Sequence, residues 1–214
     1  MTITKLMALA TAGVVFTAGS VAGQACMGVP IGDAGFAVRG EVSLPENAKT
    51  YEAALNANLI GPIAFELFAG LVDFDDIDDS GATFGGKAGY ELGLASVSVC
   101  PLVGVDYTTF SSEDTEGDFE ITSLVVPIGI GIGTTLPVGP VADVAIYAQP
   151  AFLYVKNTLT MLGEEFDDSE NAFGADVGAR LGWGRFLVGG SVNFTSIEDS
   201  DAVFAVTAGV RFGR

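Results

Sequence analysis

The chain has 214 residues, enough for one domain, with 27 acidic residues, 9 basic residues and no histidine. A formal charge of −18 excludes the basic footprint that nucleic-acid binding requires. The missing histidine removes the usual general base of acyl-transfer and hydrolytic sites, so the chain is not expected to be an enzyme.

Residues 1–25 read as a secretory signal: Lys5, an apolar stretch over 6–16, then small residues over 18–25. The stretch is too short for a transmembrane anchor. Cleavage is expected after Gly23 or after Ala25; the second choice leaves Cys26 as the first mature residue. The preceding Gly23-Gln24-Ala25 matches a lipidation signal only in its small last residue, which argues against lipidation. Residues 26–34 are expected to form a periplasmic N-terminal segment, and 35–214 a membrane domain.

Past the signal no apolar run is long enough for a membrane helix, yet the mean hydropathy is positive. Period-two alternation reconciles the two, because lipid-facing residues are then spread along strands. The pattern predicts an all-β fold: a closed antiparallel transmembrane β-barrel with meander topology. Ten strands are expected over 35–44, 49–60, 62–74, 82–93, 97–110, 120–133, 141–157, 172–183, 186–197 and 202–212. Pro127 and Pro150 fall inside the sixth and seventh, where a ladder tolerates proline poorly, so eight strands remain the alternative.

Connections alternate in character. Short turns are expected at Gly61-Pro62, Ala95-Ser96, 136–140 and Gly184-Arg185. The other connections hold most of the acids: Glu46; Asp73, Asp75, Asp76, Asp78 and Asp79; Glu113, Asp114, Glu116, Asp118 and Glu120; Glu164, Glu165, Asp167, Asp168 and Glu170; Glu198, Asp199 and Asp201. Strict alternation puts all the acidic loops on one side, expected to be extracellular, and both termini on the periplasmic side.

Parity assigns the faces. Phe36, Val38, Tyr51, Leu55, Phe65, Leu67, Phe84, Tyr90, Val105, Tyr107, Ile128, Ile130, Phe152, Tyr154, Trp183, Phe186, Phe194, Phe204 and Phe212 are expected to face lipid, with the aromatics near strand ends as interfacial girdles require. The opposite parity collects Arg39, Glu41, Glu52, Asn56, Asn58, Glu66, Lys87, Glu91, Asp106, Tyr147, Gln149, Asp176, Arg180, Asn193 and Arg211 in the lumen. In a narrow barrel such charges must pair, which favours a plug of ion pairs over a charge-lined conduit. Gly129, Gly131 and Gly133 leave one wall bare, to admit large neighbours or to leave a gap.

Cys26 and Cys100 are the only cysteines, and an oxidising compartment predicts a disulfide that tethers residues 27–34 across the periplasmic mouth. Asp76, Asp78, Ser80 and Gly81 match the opening of a calcium loop, but its twelfth position is Lys87 where a bidentate Glu is needed. No cofactor is expected beyond weak Ca²⁺ or Mg²⁺ at the acidic loops, whose simpler role is to stay solvated.

The signal, the strand pattern, the aromatic ends and a last strand carrying Thr207, Gly209 and Phe212 make the chain resemble the small outer-membrane β-barrels of Gram-negative bacteria, the OmpA- and OmpW-like porin-family domains. Gly213-Arg214 follow the aromatic that usually ends such a strand. The resemblance implies recognition by the barrel assembly machinery and contact with outer-membrane lipid and lipopolysaccharide; a monomer is expected. The expected role is structural or surface-interacting, with a narrow cation-preferring channel or small-solute porin as the alternative.

Overall fold

The computed structural model describes residues 25–29, 31, 35–45, 47–60, 62–74, 80–94, 96–114, 117–161, 163–197 and 200–213. The signal expected over 1–25 lies outside these residues except for Ala25, as do Glu46, Asp75, Asp76, Asp78, Asp79, Glu116, Glu198 and Asp199.

Period-two alternation produces strands almost throughout: β1 (Phe36–Leu44), β2 (Ala48–Ile60), β3 (Ile63–Phe74), β4 (Ser80–Tyr90), β5 (Leu92–Leu94), β6 (Val97–Asp114), β7 (Gly117–Pro137), β8 (Ala142–Met161), β9 (Glu164–Trp183), β10 (Phe186–Thr195) and β11 (Val203–Phe212). β5 continues β4 beyond a one-residue break at Glu91, and both pair with β6. Among the described residues the wall is therefore a ten-strand antiparallel meander, closed by β1 against β11 with Phe36 opposite Phe212.

The prolines do not reduce the strand number. Pairing of β6 with β7 lapses between Val103↔Ile128 and Asp106↔Val125, and that of β7 with β8 between Gly129↔Ala151 and Ile132↔Ala148, but the register is the same on either side. A proline removes a donor without adding a residue, so each ladder opens locally without shifting.

Two acidic segments expected as loops are strand. β6 and β7 pair as far as Asp114↔Gly117, and β8 and β9 as far as Met161↔Glu164. The two hairpins also pair with each other, Phe119 opposite Met161. β10 stops at Thr195, opposite Gly174, so the β9 residues 164–172 pair only with β8. Cross-strand pairing overrides the low strand preference of Asp and Glu, while the charges blunt the open edge against unwanted strand addition.

The outer surface is apolar. Leu67 is 61% exposed, Val206 60%, Trp183 65% and Phe186 66%, surface that water would penalise and hydrocarbon accepts. Phe36 stacks on Phe212 at 4.7 Å at the turn end, and Phe84 and Tyr107 meet at 5.1 Å towards the loop end. Val177 lies about midway between Phe173 and Trp183 on β9, all three facing outward. Val177→Arg is predicted to cost roughly 2–4 kcal/mol, the penalty of a cation near the bilayer midplane. Glu165→Arg, beyond the band, should cost no more than about 0.5 kcal/mol. Denaturant unfolding in lipid, followed by the fluorescence of Trp183, measures both.

Candidate functional site: the lumen

The inward positions of β1, β2, β3 and β4 converge on Arg39, which is 7% exposed. Its Nε donates to Asn56 Oδ1 at 3.0 Å, its Nη2 to Glu66 Oε2 at 2.7 Å, and its Nη1 to Glu41. Asn56 Nδ2 donates to the same Glu66 oxygen at 2.6 Å, and Lys87 Nζ lies 4.0 Å from Glu66 Oε1. Register explains the convergence: Asn56 is opposite both Ala37 and Glu66, and Glu66 is opposite Lys87.

Arg180 enters from β9 and is 4% exposed. Its Nη2 lies 3.7 Å from Glu41 Oε2, and its guanidinium stands 5.1 Å from the centre of the Tyr147 ring. Its Nη1 donates to the carbonyl of Gly28 at 2.7 Å. That last contact belongs to a feature the sequence did not reveal. The N-terminal segment runs inside the barrel, with Cys26, Met27, Val29 and Ile31 all buried. A tether lying across the mouth, as expected from the cysteines, would have left these side chains exposed.

Cys26 is disulfide-bonded to Cys100 on β6. The link closes a loop of sequence separation 74, worth roughly 4 kcal/mol in the chain-entropy account. The bare wall of β7 receives the segment: a Cβ at Gly131 would collide with the Cys26 carbonyl, which accepts from Gln149 Nε2 at 3.1 Å. Gly28 adopts φ 74°, a conformation suited to glycine, and a Cβ there would lie 2.6 Å from the Tyr147 ring.

The other expected lumen residues separate into groups. Glu52, Asp106 and Asp176 line the same central cavity of about 230 Å³, which opens above the plug, as does Asn193. Glu91 sits at the break between β4 and β5, its backbone N–H bonded to the Pro62 carbonyl. Arg211 is not part of the central network: its Nη1 pairs with Asp143 Oδ2 at 2.8 Å and its Nε donates to the Gly184 carbonyl at 2.9 Å, at the turn end. Of the calcium-like positions, Asp76 and Asp78 lie outside the described residues, and Ser80 is exposed at the start of β4, opposite Asp73. No group of three or more metal-ligating side chains occurs among the described residues.

Arg39→Ala leaves Glu66 buried beside Asn56 and a distant Lys87, and is predicted to cost about 3–5 kcal/mol. The double change Arg39→Met with Glu66→Leu should recover most of that loss. Denaturant midpoints of the three variants test the pair.

Beyond Phe152 and Tyr154, Asp167 accepts from Thr158 Oγ1 at 2.6 Å and pairs with Lys156 Nζ at 2.9 Å. Hydrogen bonds from Thr158 and Lys156 hold the Asp167 carboxyl below its usual range, and the bond to Asp167 holds the Lys156 ammonium above its own. The lowered carboxyl contributes fully above its unfolded-state range, and that contribution is lost as pH falls through the lowered value. The raised ammonium contributes fully below the usual lysine range and is lost as pH rises through the raised value. Amide protection factors in the β8–β9 hairpin, exchange rates taken relative to the free-chain rate at each pH, are therefore predicted to be highest across neutral pH, with Asp167→Asn removing the acid-side dependence.

Comparison with known proteins agrees with this geometry. A family model described as an outer membrane protein beta-barrel domain matches residues 8–212. The β domain of the Bordetella autotransporter Brka is similar in structure, with 12% identity, TM-score 0.52, and coverage of 85% of this chain and 99% of that one. The outer membrane protease OmpT of Escherichia coli shows 10% identity, TM-score 0.50, and coverage of 84% and 96%. The attachment invasion locus protein Ail of Yersinia pestis shows 13% identity, TM-score 0.44, and coverage of 84% and 99%. The likeness to the first two is one of fold alone, and no curated protein sequence matches the chain. The chain belongs to the family of outer-membrane protein β-barrel domains, and its place is the bacterial outer membrane.

Proposed function

We propose that this protein is a closed outer-membrane barrel with a structural or surface-interaction role. Its acidic hairpins are extracellular and both of its termini periplasmic. The observation that carries the reading is the N-terminal segment in the turn end of the lumen, fixed by the disulfide and by Arg180 on the Gly28 carbonyl. With the Arg39–Glu66 cluster above it, the segment blocks the path a solute would take. Alternation of short turns with long acidic hairpins supports the orientation, since family barrels have short turns in the periplasm and longer loops outside. The partners this implies are outer-membrane lipid, lipopolysaccharide and the barrel assembly machinery, with divalent cations bridging hairpin carboxylates to anionic headgroups; the protein acts as a monomer. No enzymatic activity is assigned, because a chain without histidine lacks the usual base and its lumen carboxylates are arranged around cations.

A narrow cation-preferring channel is the second reading. It is favoured by a lumen cavity whose lining carries three cations, Arg39, Lys87 and Arg180, against five carboxylates. The two readings differ in conductance. In a planar bilayer the oxidised protein is predicted to be silent. A variant combining Cys26→Ser, Arg180→Ala and Gln149→Ala, which removes the disulfide and both side-chain hydrogen bonds to the segment, should open in cation-selective steps. Steady openings of the unaltered protein would establish the channel instead.

A further inference from the structure

Inward positions of an outer-membrane barrel are ordinarily polar. On the side of the lumen formed by β6, β7 and β8 the pattern breaks: Leu102, Val125, Pro127, Leu153 and Val155 point inward and line a second cavity, of about 420 Å³. This volume lies in the range of small-molecule sites, which combine an apolar wall with a few polar groups.

The charged groups are Lys87, Asp106, Asp176 and Glu170, of which the first three also line the central cavity. Lys87 is already engaged with Glu66. Asp106 Oδ1 and Asp176 Oδ1 are out of solvent with no hydrogen-bond donor among the described residues, and Lys87, the one cation in this lining, acts on both aspartates and on Glu66 together. Both aspartates are half-buried, and a carboxylate oxygen that lacks a donor in such a place gains from a further cation. Gln149, which holds the plug through the Cys26 carbonyl, lies at the foot of the cavity, while Asn157, Thr195 and Ile197 lie towards the loop end.

We propose that this cavity is a binding site for a small amphiphilic organic cation: an ammonium group set against Asp106 and Asp176, with an apolar body against Val125, Leu153 and Val155. An anion is disfavoured by the surplus of carboxylates. A bare metal ion would leave the apolar wall uncovered, and no metal-ligating cluster of three is present among the described residues. The proposal goes beyond the structural role and rests on it in one respect, that the plug is the floor of the site.

The experiment uses the oxidised full barrel in lipid nanodiscs, with 2-phenylethylammonium as probe and 2-phenylethanol and phenylacetate as neutral and anionic counterparts. Methyl resonances of Leu102, Val125, Leu153 and Val155 report occupancy. The ammonium is expected to shift them saturably, with about tenfold higher affinity than the alcohol. Asp106→Asn with Asp176→Asn should weaken it about tenfold. Leu153→Trp, which fills the cavity and spares both carboxylates, should abolish the shifts in a barrel shown to be folded by its heat-modifiable migration on gels. Equal binding of all three compounds would overturn the proposal. So would shifts confined to the acidic hairpins, or binding that survives Leu153→Trp. A conducting barrel that still bound the ammonium selectively would refute the closed lumen and leave this site standing.

Discussion

Two guanidinium groups lie almost fully buried inside a tube whose outer wall faces hydrocarbon, and the interior is arranged around their neutralisation. Arg39 is satisfied by Glu41, Asn56 and Glu66, drawn from three adjacent strands. Arg180 reaches Glu41 from the far side and spends its shortest hydrogen bond on a backbone carbonyl of the N-terminal segment. Glu41 thus joins two clusters that the chain separates widely. Breaking either arginine would leave carboxylates stranded where water cannot solvate them, the situation in which a buried pair matters most.

The lumen is divided along its axis and also across it. At the turn end Cys26 lies against Gly131 of β7, Met27 against Gly89 of β4, and Val29 and Ile31 cluster with Ala37 and Leu187, so the barrel has a small apolar core there. In the middle the charges cross-link β1, β2, β3, β4 and β9. Towards the loop end, one side remains unfilled and apolar beside Asp106 and Asp176, each with one oxygen that lacks a hydrogen-bond donor among the described residues. The disulfide belongs to the first region, where it fixes a short segment whose own packing is too small to hold it in place.

The wall was legible in the sequence because strand parity is a local signal: a position is inward or outward according to its neighbours two residues away, and Phe36, Leu67, Trp183 and Phe204 all emerged on the outer face. Arg39, Glu66 and Arg180 were assigned to the lumen by the same parity. Which charges meet depends on register between strands, and parity is silent on that; Arg211 therefore fell into the predicted network although it pairs with Asp143 at the turn end. The acidic hairpins were misread because Asp and Glu mark loops on propensity alone, whereas pairing of β6 to β9 with one another extended the strands through them. The entry of the N-terminal segment into the lumen was missed because Cys26 to Ile31 has no periodicity to read. Two signals bore on it: the Cys26 and Cys100 pair, which put the segment at that end of the barrel, and Gly131, whose bare wall receives the Cys26 backbone rather than a side chain.

The N-terminal segment lies inside the barrel, and the proposed closure of the lumen depends on its position there. Nuclear Overhauser contacts in lipid nanodiscs test this most directly, between the methyls of Val29 and Ile31 and those of Ala37 and Leu187, with which they share a buried cluster. The account predicts strong contacts in the oxidised protein and amide protection at Ile31, whose N–H bonds the Val29 carbonyl. Absence of those contacts, with residues 26–31 exchanging as a free chain, would contradict it.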